Sequence, residues 1–231
     1  MGSVKCTGIF LQVRLSSSRL PRKALLPLKG ITVIEHAMLS LKQAHADVYA
    51  LLTDHESGAT LKGLASPLGF EVFEGDPDDV LLRYASATEY YGVERVIRAT
   101  GDNPLVSAIL VDEIVKLHEE CNADYSGFLG PPLGTCVEVV KASSLLCANS
   151  EAQDPYEREH VNPFLYRRPE RFVINRPEAR DEVSFRDARV TLDTPEDYKY
   201  ISRIYDDLYV GRPIEAEELV CWLKEEARKK G

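Results

Sequence analysis

Short apolar runs alternate with amphipathic segments through the first half of the chain. The run at 7–13 has the length and apolar character of a strand that is buried on both faces of a sheet, and further strands are predicted at 48–53, 70–73 and 95–100. Between them, apolar side chains recur at helical spacing at 33–41, at 56–65, from 80 onward and from 109 to 117. This alternation predicts an α/β fold in three layers, with helices on both faces of a mostly parallel sheet.

The pattern becomes less regular after about Cys121. We predict three further strands and one helix here, with the strands at 137–140, 172–175 and 189–192 and the helix at 155–166. Thr194 and Pro195 have the types preferred at the N-cap and first position of a helix. Apolar residues from Leu219 onward give the last helix a buried stripe. Without repeats or Gly/Ser linkers, the sequence predicts a single domain with an irregular C-terminal portion.

Charge is distributed unevenly along this chain of 231 residues, whose net charge is −9. From Met1 to Ile34 there are six Lys or Arg residues and no acidic residue, so the remainder carries −15, which is −9 less +6. An acidic protein is poorly suited to bind nucleic acid or an anionic membrane, and we expect neither partner. A basic segment on an acidic body indicates a local site for an anion.

The five cysteines are odd in number, and no two form a CxxC pair. This pattern indicates free thiols in a reducing compartment. No apolar run reaches the length of a membrane span, and the first residues lack the pattern of a signal peptide. We therefore expect a cytoplasmic protein.

The basic segment follows the first predicted strand, where ligands bind in open α/β sheets. Its sequence, RLSSSRLPRK, has three serines, and its four cations are Arg14, Arg19, Arg22 and Lys23. Small residues let backbone amides approach an anion, and several cations match a triphosphate. The segment contains neither the Walker A order nor the glycines of a dinucleotide-binding loop. The alternative is a solvated basic loop.

Two aspartates follow other predicted strands. Asp102 lies in ATGDNP and Asp193 in TLDTP. Carboxylates beside a polyphosphate loop are the ligands that Mg²⁺ takes in nucleotide sites. In the alternative interpretation, Asp102 caps the next helix and Asp193 pairs with an arginine. Two weaker candidates for functional residues are the EREH segment, which ends at His160, and Glu138 on an alternating strand.

Several segments together resemble the CMP-sugar synthetase (cytidylyltransferase) family, in particular the branch of the spore coat polysaccharide biosynthesis protein SpsF. QVRLSSSRLPRK is similar to the N-terminal signature of that branch. Similar segments follow in the same order, namely LLPLKGITVIEH, FEGDPDDVLLRY, RATGDNPLV, EREHVNPFLYRRPERF and VTLDTPEDY. The resemblance covers most of the chain.

The resemblance implies a fold like that of the nucleotide-diphospho-sugar transferases. It also implies a reaction in which an acceptor hydroxyl of a sugar or sugar acid attacks the α-phosphorus of CTP and pyrophosphate leaves. The implied cofactor is Mg²⁺, the product serves surface polysaccharide synthesis, and a smaller element forms a homodimer. Residues 1–120 would bind the nucleotide, 121–190 the sugar and a second subunit, and 191–231 would supply a metal aspartate and closing helices.

Residue roles follow from the matching motifs. Arg14, Lys23 and Asp102 would be catalytic, and Asp102 and Asp193 would hold Mg²⁺. Contacts to CTP would come from Arg14, Ser17, Ser18, Arg19, Lys23, Thr53 and Asp79. Contacts to the sugar would come from Glu138, Arg158 and His160, with Arg158 the candidate partner of a carboxylate if the acceptor is a sugar acid.

The chain also departs from the family pattern. Ser16 and Arg22 stand where glycines are usual, Cys136 stands where an acidic residue is usual, and Asn162 where threonine is usual. The last two lie on the acceptor side. Two alternative functions stay open at this point: a sugar-1-phosphate nucleotidyltransferase and a nucleotide-binding module without catalysis.

Overall fold

The computed structural model of the protein describes residues 6–17 and 19–230. Ser18, which was predicted to wrap the nucleotide, lies outside the described residues. The strands are β1 (Thr7–Gln12), β2 (Pro27–Leu28), β3 (Ile31–Thr32), β4 (Val48–Thr53), β5 (Glu71–Glu74), β6 (Arg95–Thr100), β7 (Tyr125–Gly127), β8 (Glu138–Lys141) and β9 (Ile174–Asn175). The helices are α1 (Val33–Leu41), α2 (His55–Ala65), α3 (Val80–Tyr91), α4 (Ala108–Glu120), α5 (Ala142–Glu151), α6 (Pro155–His160), α7 (Pro163–Tyr166), α8 (Pro195–Leu208) and α9 (Ala216–Lys230).

Seven of these strands form one central sheet in the order β5-β4-β1-β6-β8-β7-β9. The strands from β5 to β6 are parallel, as predicted from the alternation of strands and helices along the chain. β8 then pairs antiparallel with both β6 and β7. β2 and β3 form a separate hairpin. The predicted α/β class with a mostly parallel sheet is confirmed.

Helices cover both faces of the sheet. The side chains of β1 alternate between the faces, with Leu11 in the core under α1, α2 and α4 and Phe10 in the core under α3, α5 and α7. Both side chains are fully buried, which for residues of this size contributes about 1.5–3 kcal/mol each. A third cluster joins α8 and α9 to the loops that precede them. In the described part of the chain, no helix is both long and apolar enough to span a membrane.

The structure corrects the C-terminal predictions. Residues 189–192 do not form a strand, because the amide of Val190 bonds to Leu133 and that of Leu192 to Asp102, which ties loops together instead of extending the sheet. The predicted helix at 155–166 is two helices, α6 and α7. Val161 has a φ of 70° between them, and Pro163 has no N–H to continue α6.

Other elements differ from the sequence predictions in length or were not predicted. The predicted strand at 172–175 is reduced to β9, and helix α5 and strand β7 were not predicted. The start of α8 is as predicted. Thr194 is its N-cap and accepts a bond from the amide of Asp197, whose own carboxylate bonds back to Thr194.

Candidate active site

A large cavity of 1080 Å³ opens at the carboxyl ends of β1 and β6. It gathers most of the side chains that the sequence predicted for the site. These are Arg14, Ser17, Arg19, Lys23, Asp79, Asp102, Arg158, His160 and Asp193. Thr53 and Glu138 are not among the residues that line it. The loops of distant strands therefore meet in one place, as expected for a parallel sheet.

The basic loop is anchored at both ends. At its start, the amide of Val13 bonds to Leu52 at 3.0 Å and that of Leu15 to the Ser57 hydroxyl at 3.1 Å. At its end, residues 23–25 form a 3-10 turn whose Ala24 is buried. Arg22, just before this turn, has a φ of 53°, which is the left-handed conformation that glycine adopts most easily. The turn directs the side chain of Lys23 inward, where 14% of it is exposed.

Lys23 lies between the two predicted metal aspartates. Its Nζ is 2.7 Å from Asp102 Oδ2 and 2.9 Å from Asp193 Oδ1. Asp102 reaches this position because Gly101 packs tightly beneath it, where an added Cβ would lie 2.8 Å from Val13 Cβ. Among the described residues, a single ammonium thus holds two carboxylates from different loops.

Asp193 is surrounded by positive charge. Besides Lys23 it accepts a hydrogen bond from Arg19 at 3.1 Å and one from Arg189. Partial burial raises the pKa of the Asp193 carboxyl, but Lys23 and the two arginines outweigh it, so that this pKa lies below its ordinary value. Asp193 is therefore ionised at neutral pH, and the predicted alternative of pairing with an arginine also describes it.

The two aspartates fit a divalent metal in their chemistry. Both carboxylates contact Lys23 Nζ, line the cavity and are partly exposed, and Mg²⁺ usually takes one or two carboxylates together with phosphate oxygens and water. No group of three or more His, Cys, Asp or Glu side chains arranged for a metal is found in the described part of the chain. Additional ligands would come from the substrate and from water.

Glu138 belongs to a hydrogen-bonded group beside the cavity. Its carboxylate accepts bonds from Arg98 at 2.7 Å, from the Tyr125 hydroxyl at 2.7 Å and from the Asn162 amide at 2.9 Å. Arg98 and Glu138 are directly opposite in the antiparallel pair of β6 and β8. Arg98, and not Glu138, lines the cavity, so Glu138 contacts the cavity wall through its hydrogen bond to Arg98.

Asp79 and Arg158 pair with each other across the cavity. The Arg158 Nε donates to Asp79 Oδ2 at 2.8 Å, and its other nitrogens bond to Asn149 and Ala152. The second oxygen of Asp79 caps α3 through the amide of Leu82 at 2.9 Å. The sequence assigned these two residues to different ligands, whereas in the structure they tie α3 to α6.

Two cavity cations have no carboxylate within salt-bridge distance among the described residues, Arg14 and Arg83. Arg83 is 2% exposed and donates only to the carbonyls of Asp76 and Pro77. Burial lowers the pKa of its guanidinium, and the nearby charge of Arg14 lowers it further. Unmatched positive charge in this cavity is therefore concentrated where the basic loop meets the start of α3.

Thr53 and His160 occupy different surroundings. Thr53 is fully buried at the end of β4, and its Oγ1 has no hydrogen-bond partner in the described structure. His160 is exposed at the edge of the cavity, and its ring lies 4.2 Å from that of Tyr156. Ser17 lines the cavity at the basic loop.

Several cavity residues were not predicted from the sequence. Arg98 had a signal, since it is a charge within the apolar run RVIRAT. Arg189 lies four positions before Asp193, and Asn103 lies within the GDNP turn. Arg83 and Thr191 have no distinguishing pattern.

The sequence and the fold are similar to those of known proteins. A family model described as Cytidylyltransferase matches residues 9–225. The spore coat polysaccharide biosynthesis protein SpsF of Bacillus subtilis (strain 168) is 30% identical over 220 residues, which is 92% of each chain. The 3-deoxy-manno-octulosonate cytidylyltransferase 1 of Actinobacillus pleuropneumoniae serotype 5b is 27% identical over 166 residues, 66% of this chain and 65% of that one. A solved cytidylyltransferase from Leptospira borgpetersenii serovar Hardjo-bovis matches with a TM-score of 0.88 and 26% identity, covering 97% of this chain and 96% of that one.

Proposed function

The chain belongs to the cytidylyltransferase family and is a nucleotidyltransferase, and from this premise we propose that it transfers CMP from CTP to a hydroxyl of a sugar or sugar acid, with release of pyrophosphate. One observation carries the proposal. A single cavity holds the cations of the basic loop together with Asp102 and Asp193. Phosphoryl-type transfer depends on positioning and charge stabilisation, which such a set can supply without a covalent nucleophile.

The nucleotide would lie along the basic loop. Arg14 and Arg83 offer unmatched positive charge, and Arg19 and Lys23 can turn from Asp193 to the phosphates. Ser17 and Ser18 would flank the chain of phosphates. Asp79, held by Arg158, would lie on the base or ribose side near the start of α3. Thr53, fully buried, would act there only through packing.

Asp102 and Asp193 would hold Mg²⁺. When bound, the ion would neutralise the negative charge of the phosphate oxygens and favour attack at the α-phosphorus. The relative from Actinobacillus is named for a cytidylyltransferase reaction, which supports CTP as the donor.

The acceptor would occupy the opposite side of the cavity, beside Arg98 and His160. Glu138 already accepts three hydrogen bonds and is not positioned to take a proton from the acceptor. The His160 ring has no such hydrogen-bond partners among residues 6–17 and 19–230 and would be the available base. We assign 1–120 to nucleotide binding, 121–190 to the acceptor and a homodimer contact, and 191–231 to the metal aspartate and closing helices. The name of the Bacillus relative supports a role in surface polysaccharide synthesis.

The test is pyrophosphate release from CTP in the presence of Mg²⁺ and a panel of sugars, sugar acids and sugar phosphates. We expect release with CTP and none without a divalent metal. Asp102→Asn should reduce the rate at least about 10²-fold, since it removes a charged group from the reacting phosphates, while the variant should still unfold in one cooperative transition. Asp187→Asn, at an exposed carboxylate that does not line the cavity, is the matched control. A wild-type rate in Asp102→Asn would show that Asp102 has no part in catalysis. Pyrophosphate release with sugar phosphates alone would point to a sugar-1-phosphate nucleotidyltransferase.

A further inference from the structure

We infer that Asn162, together with a strained turn at Val161, positions His160 for the acceptor, which makes Asn162 a positioning residue of the reaction. The inference rests on the proposed function, in which His160 is the available base, and deepens it. Neither Asn162 nor Val161 is among the residues that line the cavity, whereas His160 is. Both would therefore act through their neighbour and not by contact with a substrate.

The chain reverses at Val161 in a backbone conformation that valine rarely adopts. Its φ is 70° and its ψ is −61°. The amide of Asn162 donates to the carbonyl of His160 at 2.9 Å, across Val161. These are the angles and the hydrogen bond of a γ-turn with positive φ, which is rare and strained, above all at a β-branched residue. Such a residue persists only where the structure around it holds it in place.

Before the turn, two ion pairs hold helix α6. Arg158 Nε donates to Asp79 Oδ2 at 2.8 Å, which ties α6 to the start of α3. Glu157, with 4% of its side chain exposed, pairs with Arg168 at 2.8 Å, which ties α6 to the segment after α7. The end of α6, where the turn begins, is thereby fixed on two sides.

After the turn, Asn162 joins the chain to the central sheet. Its side chain is buried, and its Nδ2 donates to Glu138 Oε2 at 2.9 Å. Glu138 belongs to β8 and also accepts hydrogen bonds from Arg98 and Tyr125, so its own position is fixed by neighbouring strands. Val161 is 1% exposed and packs in the core beneath α5 and α7. The strained turn is therefore held between helix α6 and the sheet.

His160 takes its place from this turn. It is the last residue of α6, and its carbonyl accepts the hydrogen bond that closes the turn. Its side chain is exposed at the cavity, beside the ring of Tyr156 at 4.2 Å, so the position of its ring depends on its backbone. A general base must lie within about 2.6–3.2 Å of the group whose proton it takes, and a displacement of about 1 Å can cost about 10²-fold in rate.

The test is a double-mutant cycle between Asn162 and His160 in the full chain. We measure kcat and KM for pyrophosphate release, with CTP, Mg²⁺ and the acceptor of highest turnover, for the wild type, both alanine variants and the double variant. Asn162→Ala should lower kcat about tenfold or more and leave the KM for CTP unchanged. In the His160→Ala background the same substitution should have no further effect on kcat, because the group that it positions is absent.

A second measurement does not depend on turnover. The His160 ring is observed by NMR after labelling of histidine with ¹³C at Cε1, and its resonance is the one that His160→Ala removes. We expect Asn162→Ala to shift this resonance and to broaden it, because the relaxed turn lets the ring exchange between positions.

Asn175→Ala is the matched control, since it removes a side-chain amide that donates to the carbonyl of Leu117 at 3.3 Å and does not line the cavity. It should change neither kcat nor the His160 resonance. Should Asn162→Ala fail to fold, Asn162→Leu removes the same donor while nearly keeping the volume of the side chain.

The outcomes separate this inference from the proposed function. Additive losses of kcat in the cycle, or a His160 resonance that Asn162→Ala leaves unchanged, would overturn the positioning role and leave the proposed function standing. A wild-type kcat in His160→Ala would overturn the inference together with the assignment of the base, while CTP stays the donor. If the protein does not bind CTP in the presence of Mg²⁺, the proposed function is wrong and the inference falls with it.

Discussion

Lys23 donates hydrogen bonds to Asp102 and Asp193, the two carboxylates that we propose as metal ligands. In the absence of nucleotide, a divalent ion must therefore displace the ammonium from both carboxylates. In the proposed function, a triphosphate would offer the ammonium phosphate oxygens as new partners, and Asp102 and Asp193 would then be available to hold the metal. This geometry predicts that Lys23→Met increases the affinity for the metal alone and weakens the coupling between metal and nucleotide.

The magnitude follows from the two contacts. A hydrogen bond between charged groups contributes about 1.5–3 kcal/mol. The carboxylates are partly exposed, with 30% and 17% of their side chains accessible, and Asp193 keeps two arginine partners, so the low end applies. Removal of the competition should then tighten metal binding by about 1.5 kcal/mol, which is about tenfold.

Mn²⁺ serves as the probe because free and bound ions are distinguished by electron paramagnetic resonance. Titrations of the wild type and of Lys23→Met are made without nucleotide and with a non-hydrolysable CTP analogue. Lys23→Arg, which keeps the charge, should behave as the wild type without nucleotide. Lys116→Met, at an exposed lysine outside the cavity, is the surface control. Equal Mn²⁺ affinities of the wild type and Lys23→Met without nucleotide would refute the reasoning.

Three further predictions concern stability. Arg22→Gly should be about 1 kcal/mol more stable than Arg22→Ala in urea unfolding, because glycine adopts a φ of 53° without strain and alanine does not. At Arg228, inside α9, the alanine variant should be the more stable of the two, and the same order at both sites would contradict the argument from backbone conformation. Gly101→Ala should lower the free energy of unfolding by about 1–3 kcal/mol, since the added Cβ would lie 2.6 Å from the side chain of a buried isoleucine. Gly63→Ala, on an open helix surface, should leave the stability unchanged or raise it, and equal effects of the two variants would refute the packing argument. The lowered pKa of Asp193 means that its contribution is fully present above the ordinary pKa of about 3.9 and is lost as the pH falls through the lower folded value. The difference in unfolding free energy between the wild type and Asp193→Asn should therefore shrink as the pH is lowered toward about 3. A difference that stays constant with pH would exclude the charge of Asp193 as the source of the stabilisation.

The strands at the centre of the sheet were predictable because they are buried on both faces. β1, β4 and β6 are continuous apolar runs, and the structure places them side by side. β7 is three residues long and contains serine and glycine, so no period can be read from it. α5 buries mainly small residues, such as Ala142, Ser144 and Ala148, and this leaves it without a clear apolar stripe.

The site was predictable to the extent that its residues lie in short motifs. The basic loop and both aspartates come together as expected, and the resemblance that these motifs suggested is confirmed by the family match. The partners of each charge were not predictable. Lys23 is 79 and 170 positions away from its two carboxylates, and Arg98 meets Glu138 only because β8 runs antiparallel in an otherwise parallel region.

We propose that the protein transfers the CMP part of CTP to an acceptor hydroxyl. This proposal is tested most directly with CTP labelled with ³²P at either the α or the γ position, in the presence of Mg²⁺ and an acceptor that supports pyrophosphate release. We expect the α label in the sugar product and the γ label in pyrophosphate. Transfer of the γ label to the acceptor, or release of the α label only as free CMP, would contradict the proposal.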